Sequence, residues 1–226
     1  MPAVVQLENI GKRFALDRPP LFGGIDLEVR AGDYLAIMGE SGVGKSTLLN
    51  LLAGLDKPDN GRILFDGIDT AQLNDDELTL LRRRAVGFVF QAFHVLPYLT
   101  AEQNVALPLD LLGLKEPIRG RRIREMLESL GIGALAGRYA RDLSGGELQR
   151  IAIARALVHK PRLVLADEPT GNLDARTAAQ TLALLREQIK SNAGAGILIT
   201  HSRAAADSAD RTFLLDAGGL HALSPA

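Results

Sequence analysis

Gly39-Glu40-Ser41-Gly42-Val43-Gly44-Lys45-Ser46-Thr47 follows directly on the apolar run Tyr34 to Met38. It leads into Leu48, Leu49, Leu51 and Leu52, which recur at helical spacing. A buried strand, a glycine loop and a helix in that order commit the chain to an α/β architecture. The loop satisfies G-x-x-x-x-G-K-[ST], and the strand before it and helix after it are the context that pattern requires. Its glycines let backbone N–H groups curl around phosphate oxygens without Cβ clashes, and the helix N-terminus adds partial positive charge. Lys45 is a mobile point charge for the outer phosphates of a nucleoside triphosphate, and the Ser46 hydroxyl is a candidate Mg²⁺ ligand. The candidate cradle is therefore Gly39, Glu40, Ser41, Gly42, Val43, Gly44, Lys45, Ser46 and Thr47.

The rest of the chain fits around that unit. Val4 to Leu7 and Ile25 to Val29 read as strands, the second alternating like a half-exposed one. Pro58-Asp59-Asn60-Gly61 marks a turn, with a short strand expected over Arg62 to Asp66. Val86 to Gln91, Leu163 to Asp167 and Ile197 to Thr200 are buried-strand candidates, so the sheet should be largely parallel. Helices are expected over Lys45–Leu55, Ala101–Leu112, Arg119–Leu130 and Gly146–Val158. Strand signals vanish between Gln91 and roughly Arg150, which predicts a helical insert at about 91–150 within one domain. Asp75-Asp76-Glu77 marks an acidic helix start before Leu78 to Arg84.

Two further segments carry chemistry. Leu163 to Ala166 is a buried strand ending in Asp167 and Glu168. Ligands of α/β sheets sit outside the carboxyl ends of strands. Asp167 is then placed to hold the hydration shell of Mg²⁺, and Glu168 to accept a proton from an attacking water. A solvated strand end before Pro169 is the plain alternative. Ser144-Gly145-Gly146 opens an apolar-periodic helix through Leu148, Ile151, Ala152, Ile153, Ala156 and Leu157. That is either a second anion cradle at a helix N-terminus or only a capped helix with a glycine-rich start.

Charge narrows the partners. The 26 basic and 27 acidic residues of the 226 give a formal net charge of −1, which offers no support for nucleic-acid binding. Arg82-Arg83-Arg84 and Arg119 to Arg124 read as solvated helix faces. Cysteine is absent, so thiolate metal sites and disulfides are excluded. No apolar run approaches bilayer-spanning length, and Met1 to Phe14 lacks the pattern of a secretory signal. Work on a membrane would require docking onto another subunit. His94, His159 and His221 lack partners at metal-ligand spacing and are expected in packing or surface roles.

Taken together, these motifs resemble the ATP-binding subunits of ABC transporters over nearly the whole length. Residues 39–47 match Walker A, and Gln91 the Q-loop. Leu143 to Glu147 match the LSGGQ-type signature, with Glu147 in place of Gln. Leu163 to Asp167 match Walker B, followed by Glu168 as the catalytic glutamate. Gly171-Asn172-Leu173-Asp174 match the D-loop, and His201 after Ile199-Thr200 the switch histidine. Phe14 falls where the family places an aromatic on the adenine.

The resemblance implies a P-loop, RecA-like α/β core with an N-terminal antiparallel β element and a helical subdomain. It implies an ATPase with ATP and Mg²⁺ as cofactors. Glu168 would be the base, His201 and Lys45 would serve the γ-phosphate, and Ser46, Gln91 and Asp167 would serve Mg²⁺. Ser144, Gly145 and Gly146 would bind the ATP of a second, identical subunit, so that two chains face each other head to tail around two ATPs. The partner would be an integral membrane permease, docked around Gln91 to Thr100, with the ATPase peripheral on the cytoplasmic side of the inner membrane. Asp167-Glu168-Pro169-Thr170-Gly171-Asn172-Leu173-Asp174 looks like the lipoprotein-releasing and macrolide- or peptide-exporting branch. A solute-importer ATPase and a membrane-associated ATPase of cell division are the rival readings. DNA-repair and translation ATPases of the fold would need a long coiled coil or a tandem domain.

Overall fold

The computed structural model describes residues 3–15 and 19–223. Two sheets form its frame. The first is antiparallel, with four strands in the order β2–β1–β4–β5: β1 Ala3–Lys12, β2 Phe22–Arg30, β4 Asn60–Phe65 and β5 Ile68–Asp69. The second has six strands: β3 Tyr34–Met38, β6 Val86–Phe90, β7 Leu163–Asp167, β8 Ala195–Ile199, β9 Arg211–Asp216 and β10 Gly219–Leu223. Its order is β10–β9–β3–β8–β7–β6, parallel throughout except for β10 at one edge.

Successive side chains of a strand point to opposite faces, and the core divides accordingly. Leu35, Ile37, Leu163, Leu165, Ile197 and Ile199 face the antiparallel sheet and α1 (Lys45–Leu52). Tyr34, Ala36, Val164, Ala166 and Leu198 face the opposite helical layer. That layer holds α3 (Ala101–Leu111), α4 (Ile118–Ser129), α5 (Gly145–Leu157) and α6 (Ala175–Ser191). Both faces of the central strands are buried, which is why those strands read as continuous apolar runs.

Helix starts follow local chemistry. At α2 (Asp75–Ala85), Asn74 and Glu77 form a capping box, with three acids in the first turn and three arginines in the last. Arg82 is engaged, donating to the Gly54 carbonyl and the Thr79 hydroxyl. Thr100 and Gln103 box the start of α3. A short helix α7 (Arg203–Ala206) precedes β9.

The parallel register positions the site. Ile37 pairs with Ile199, Ile199 with Asp167, and Asp167 with Phe90. The carboxyl ends of β3, β8, β7 and β6 therefore stand in one row. The residues that leave them are the Gly39 loop, Thr200-His201, Glu168 and Gln91.

Candidate functional site

A cleft of about 500 Å³ opens over that row. It is lined by Phe14, Ser41, Gly42, Gly44, Lys45, Ser46, Thr47, Gln91, Asp167 and Glu168, together with Leu21, Phe90, Ala92 and His94. Phe14 is exposed at its rim. Gly39, Glu40 and Val43 belong to the loop without lining the cleft, and Gly39 packs tightly, since a Cβ there would lie 2.8 Å from the Leu215 carbonyl oxygen.

The loop needs glycine at Gly42 (φ 82°) and Gly44 (φ 106°), left-handed positions that other residues adopt at a cost. A Cβ on Gly44 would also strike Leu21 and Phe22. The Lys45 ammonium lies across the loop, its Nζ donating to the carbonyls of Gly39 and Glu40 at 2.8 Å each. Ser46 Oγ donates to Asp167 Oδ2 at 3.4 Å. Burial and the neighbouring Glu168 carboxylate push the Asp167 carboxyl above its usual range, against the Ser46 hydrogen bond and the Lys45 charge. A cation beside it would remove that penalty. Ser46, Asp167 and Gln91 line the same cleft and carry hydroxyl, carboxylate and amide oxygens, the kind of hard donor that could hold Mg²⁺.

Glu168 stands in a left-handed backbone (φ 46°) directly before Pro169, a conformation held only where surroundings over-determine it. Its side chain is fixed by three donors. Oε1 accepts from the His201 backbone N–H at 2.8 Å and pairs with His201 Nδ1 at 2.6 Å, and Oε2 accepts from Thr200 Oγ1 at 3.1 Å. His201 thus meets Glu168 from outside the cleft lining, its ring largely exposed. Thr200 was not singled out from sequence; its position directly before His201 at the strand end was the available signal.

Ser144, Gly145 and Gly146 do not line this cleft. They form the N-terminus of α5, beside the turn of Gly171 to Asp174. A Cβ on Gly145 would sit 3.9 Å from the Phe93 ring and 4.0 Å from Leu173. Glu147 accepts from the Ser144 N–H at 2.8 Å and from the Ser144 hydroxyl at 2.6 Å. Those hydrogen bonds hold its carboxyl below the usual range. Gln91 is tied to the same turn: Asn172 Nδ2 donates to its carbonyl at 2.8 Å, and a Cβ on Gly171 would meet the Gln91 amide at 2.7 Å.

Among the histidines set aside, His159 is buried with Nε2 3.2 Å from the Val86 carbonyl, and His221 pairs with Asp216. His94 lines the cleft with its ring 4.9 Å from that of Phe90, closer to the site than its spacing suggested. Among the described residues no cluster of three or more His, Cys, Asp or Glu side chains is placed to hold a metal.

The chain is similar to known proteins in sequence and in fold. The ABC transporter family matches residues 22–171. The chain is 44% identical over 225 residues to the lipoprotein-releasing system ATP-binding protein LolD of Xanthomonas campestris pv. campestris, covering 99% of this chain and 94% of that protein. It is 45% identical to the macrolide export ATP-binding/permease protein MacB of Nitrosomonas europaea, over 93% of this chain and 32% of that protein. A dimeric ATP-binding cassette solved in a post-hydrolysis state with ADP and Pi superposes with a TM-score of 0.84 at 36% identity, covering 98% of this chain and all of that one. The chain belongs to the ABC transporter family, as an ATP-binding and ATP-hydrolysing subunit.

Proposed function

We propose that the chain forms an ATP-dependent homodimer that drives a membrane permease in lipoprotein release or in peptide or drug export. The observation that carries this reading is the separation of the two glycine cradles. Lys45, Ser46, Asp167 and Glu168 share one cleft, while Ser144 to Gly146 lie outside it. A second cradle that cannot reach its own chain's nucleotide has a use only if another chain supplies the first. Relatives named for lipoprotein release and macrolide export support the choice of branch.

In this reading Phe14 stacks on the adenine, and Gly39 to Thr47 wrap the phosphates. Lys45 leaves the Gly39 and Glu40 carbonyls for the phosphate oxygens and offsets their charge. Ser46, Gln91 and Asp167 would hold Mg²⁺, which when bound draws charge from the phosphate oxygens. Glu168 takes the proton of the attacking water, and His201 keeps that carboxylate aimed while presenting its free ring nitrogen to the γ-phosphate. Ser144 turns its hydroxyl from Glu147 to the partner's phosphate, with the Gly145 and Gly146 N–H groups beside it.

The whole chain acts as one ATPase domain with a helical subdomain at about 91–150. No helix among the described residues is long and apolar enough to cross a membrane. We place the subunit peripherally, on the cytoplasmic face of the inner membrane. Its docking surface is the 91–100 segment, where Leu96 and Tyr98 are exposed and would receive a short helix of the permease.

Lys45→Ala tests the nucleotide assignment. Calorimetric titration should show weakened MgATP binding, and hydrolysis should be lost. Unchanged affinity with unchanged activity would reject it.

A further inference from the structure

Directly after β6 the chain makes a tight turn in which two consecutive non-glycine residues are left-handed, Phe93 at φ 59° and His94 at φ 48°. A bulky residue such as Phe seldom adopts that conformation, and a pair in succession must be held from outside. The holder is Arg155, ten residues into α5. Its Nη1 donates to the His94 carbonyl at 2.6 Å and its Nη2 to the Phe93 carbonyl at 3.0 Å. The guanidinium is half-buried, burial lowers its pKa, and no carboxylate pairs with it among the described residues. A planar fork spanning two adjacent carbonyls is a geometry that an ammonium cannot reproduce.

The turn touches both cradles. Gln91 and His94 line the nucleotide cleft, while the Phe93 ring reaches the vicinity of Gly145 at the start of α5. Helix α5 runs unbroken from Gly145 through Arg155. Any displacement of the turn is therefore applied to the helix at two points, the Phe93 ring near its first residue and the Arg155 fork ten residues on.

We propose that Arg155 is a positioning residue that locks the Phe93-His94 turn to the signature helix, so that nucleotide in one chain's cleft sets where that chain's Ser144–Gly146 cradle stands for its partner. This rests on the reading that Ser144 to Gly146 complete the partner's site. Arg155 touches neither nucleotide nor reacting atoms; it acts through the turn. Loss of the fork leaves Lys45 and its loop intact, and ATP affinity of the monomer should survive. Loss of coupling between the cradles should appear in dimerisation and turnover.

Arg155→Lys and Arg155→Met test this in the full-length protein, each alone and combined with Glu168→Gln. ATP affinity is read by titration, ATP-induced dimer by size-exclusion chromatography, and turnover by phosphate release. The expected result is near-normal affinity with dimer formation and turnover each reduced about tenfold, a usual size for coupling between sites. Lys should behave like Met despite its charge. If Met prevents folding, Lys alone carries the test. A folded Arg155→Lys protein that dimerises and turns over like the wild type overturns the proposal. So does a parallel loss of affinity and dimerisation, which would mean a general structural role. Failure of Glu168→Gln alone to dimerise with ATP would instead reject the underlying two-chain reading.

Discussion

Glu168 and His159 show how far single side chains depend on neighbours the sequence places far away. The Glu168 carboxylate is only 15% exposed and is aimed by donors from Thr200 and His201, more than thirty positions on. Glu168→Gln keeps the shape but removes the proposed proton acceptor. Turnover should fall by at least about 10²-fold, the usual worth of a general base. ATP should still bind, and the dimer should accumulate because hydrolysis no longer releases it. Steady-state turnover and chromatography with ATP check both outcomes. His159 makes a different prediction. Burial holds its pKa below the ordinary histidine value, outweighing the Val86 hydrogen bond, and Arg122 adds to the depression. The folded protein therefore binds fewer protons than the unfolded chain, so stability is full above the unfolded value of about 6.5 and is lost as pH falls below it. Denaturant unfolding at pH 7.5 and 5.5 should show that loss, and His159→Asn should flatten it. An equal slope in both proteins would contradict the assignment.

At the scale of elements, β6 and α5 meet at Gly87. A Cβ there would come within 2.2 Å of the Ala156 carbonyl oxygen, which is backbone and cannot swing aside. Gly87→Ala should cost about 1–3 kcal/mol, as overpacking of a close-packed core usually does, measured by chemical denaturation. The elements legible in the sequence were those whose own residues decide them. Tyr34 to Met38 and Leu163 to Ala166 are apolar throughout because both faces are covered, and α2 declares its start with the acidic run Asp75-Asp76-Glu77. The first sheet proved larger than the expected strands. Gly23 and Gly24 hid the first turn of β2, and a left-handed Asn9 interrupts the register of β1. Strands β9 and β10 were missed because β9 is half-exposed and β10 is an edge, and the pairing of β9 with β3 depends on a crossover rather than on local pattern. Helix ends moved by up to three residues, the first glycine-loop helix stopping at Leu52 rather than Leu55. The loop-motif residues that line the cleft were legible. Arg155 and Thr200 were not, because a side chain reaching a distant backbone carbonyl or carboxylate leaves no periodic trace.

At the scale of the molecule, the two glycine cradles of one chain stand apart. The cleft gathers Walker A, Walker B and Gln91, and the signature stands apart at the head of α5. Gly145 is the position where this is most cleanly tested, since an added Cβ meets only ordinary contacts with Phe93 and Leu173. Gly145→Asp should therefore fold, and should place a carboxylate where the partner's phosphates approach, so that like charges oppose closure. Mixing it with Lys45→Ala can rebuild at most one site per heterodimer, from the glycine loop of one chain and the signature of the other. The deciding measurement is size-exclusion chromatography with ATP on Gly145→Asp, paired with calorimetric ATP binding to the same protein. Near-normal nucleotide affinity, no ATP-induced dimer and little hydrolysis are expected. A Gly145→Asp protein that dimerises and hydrolyses ATP like the wild type would contradict the two-chain reading, and would reduce the second cradle to a capped helix.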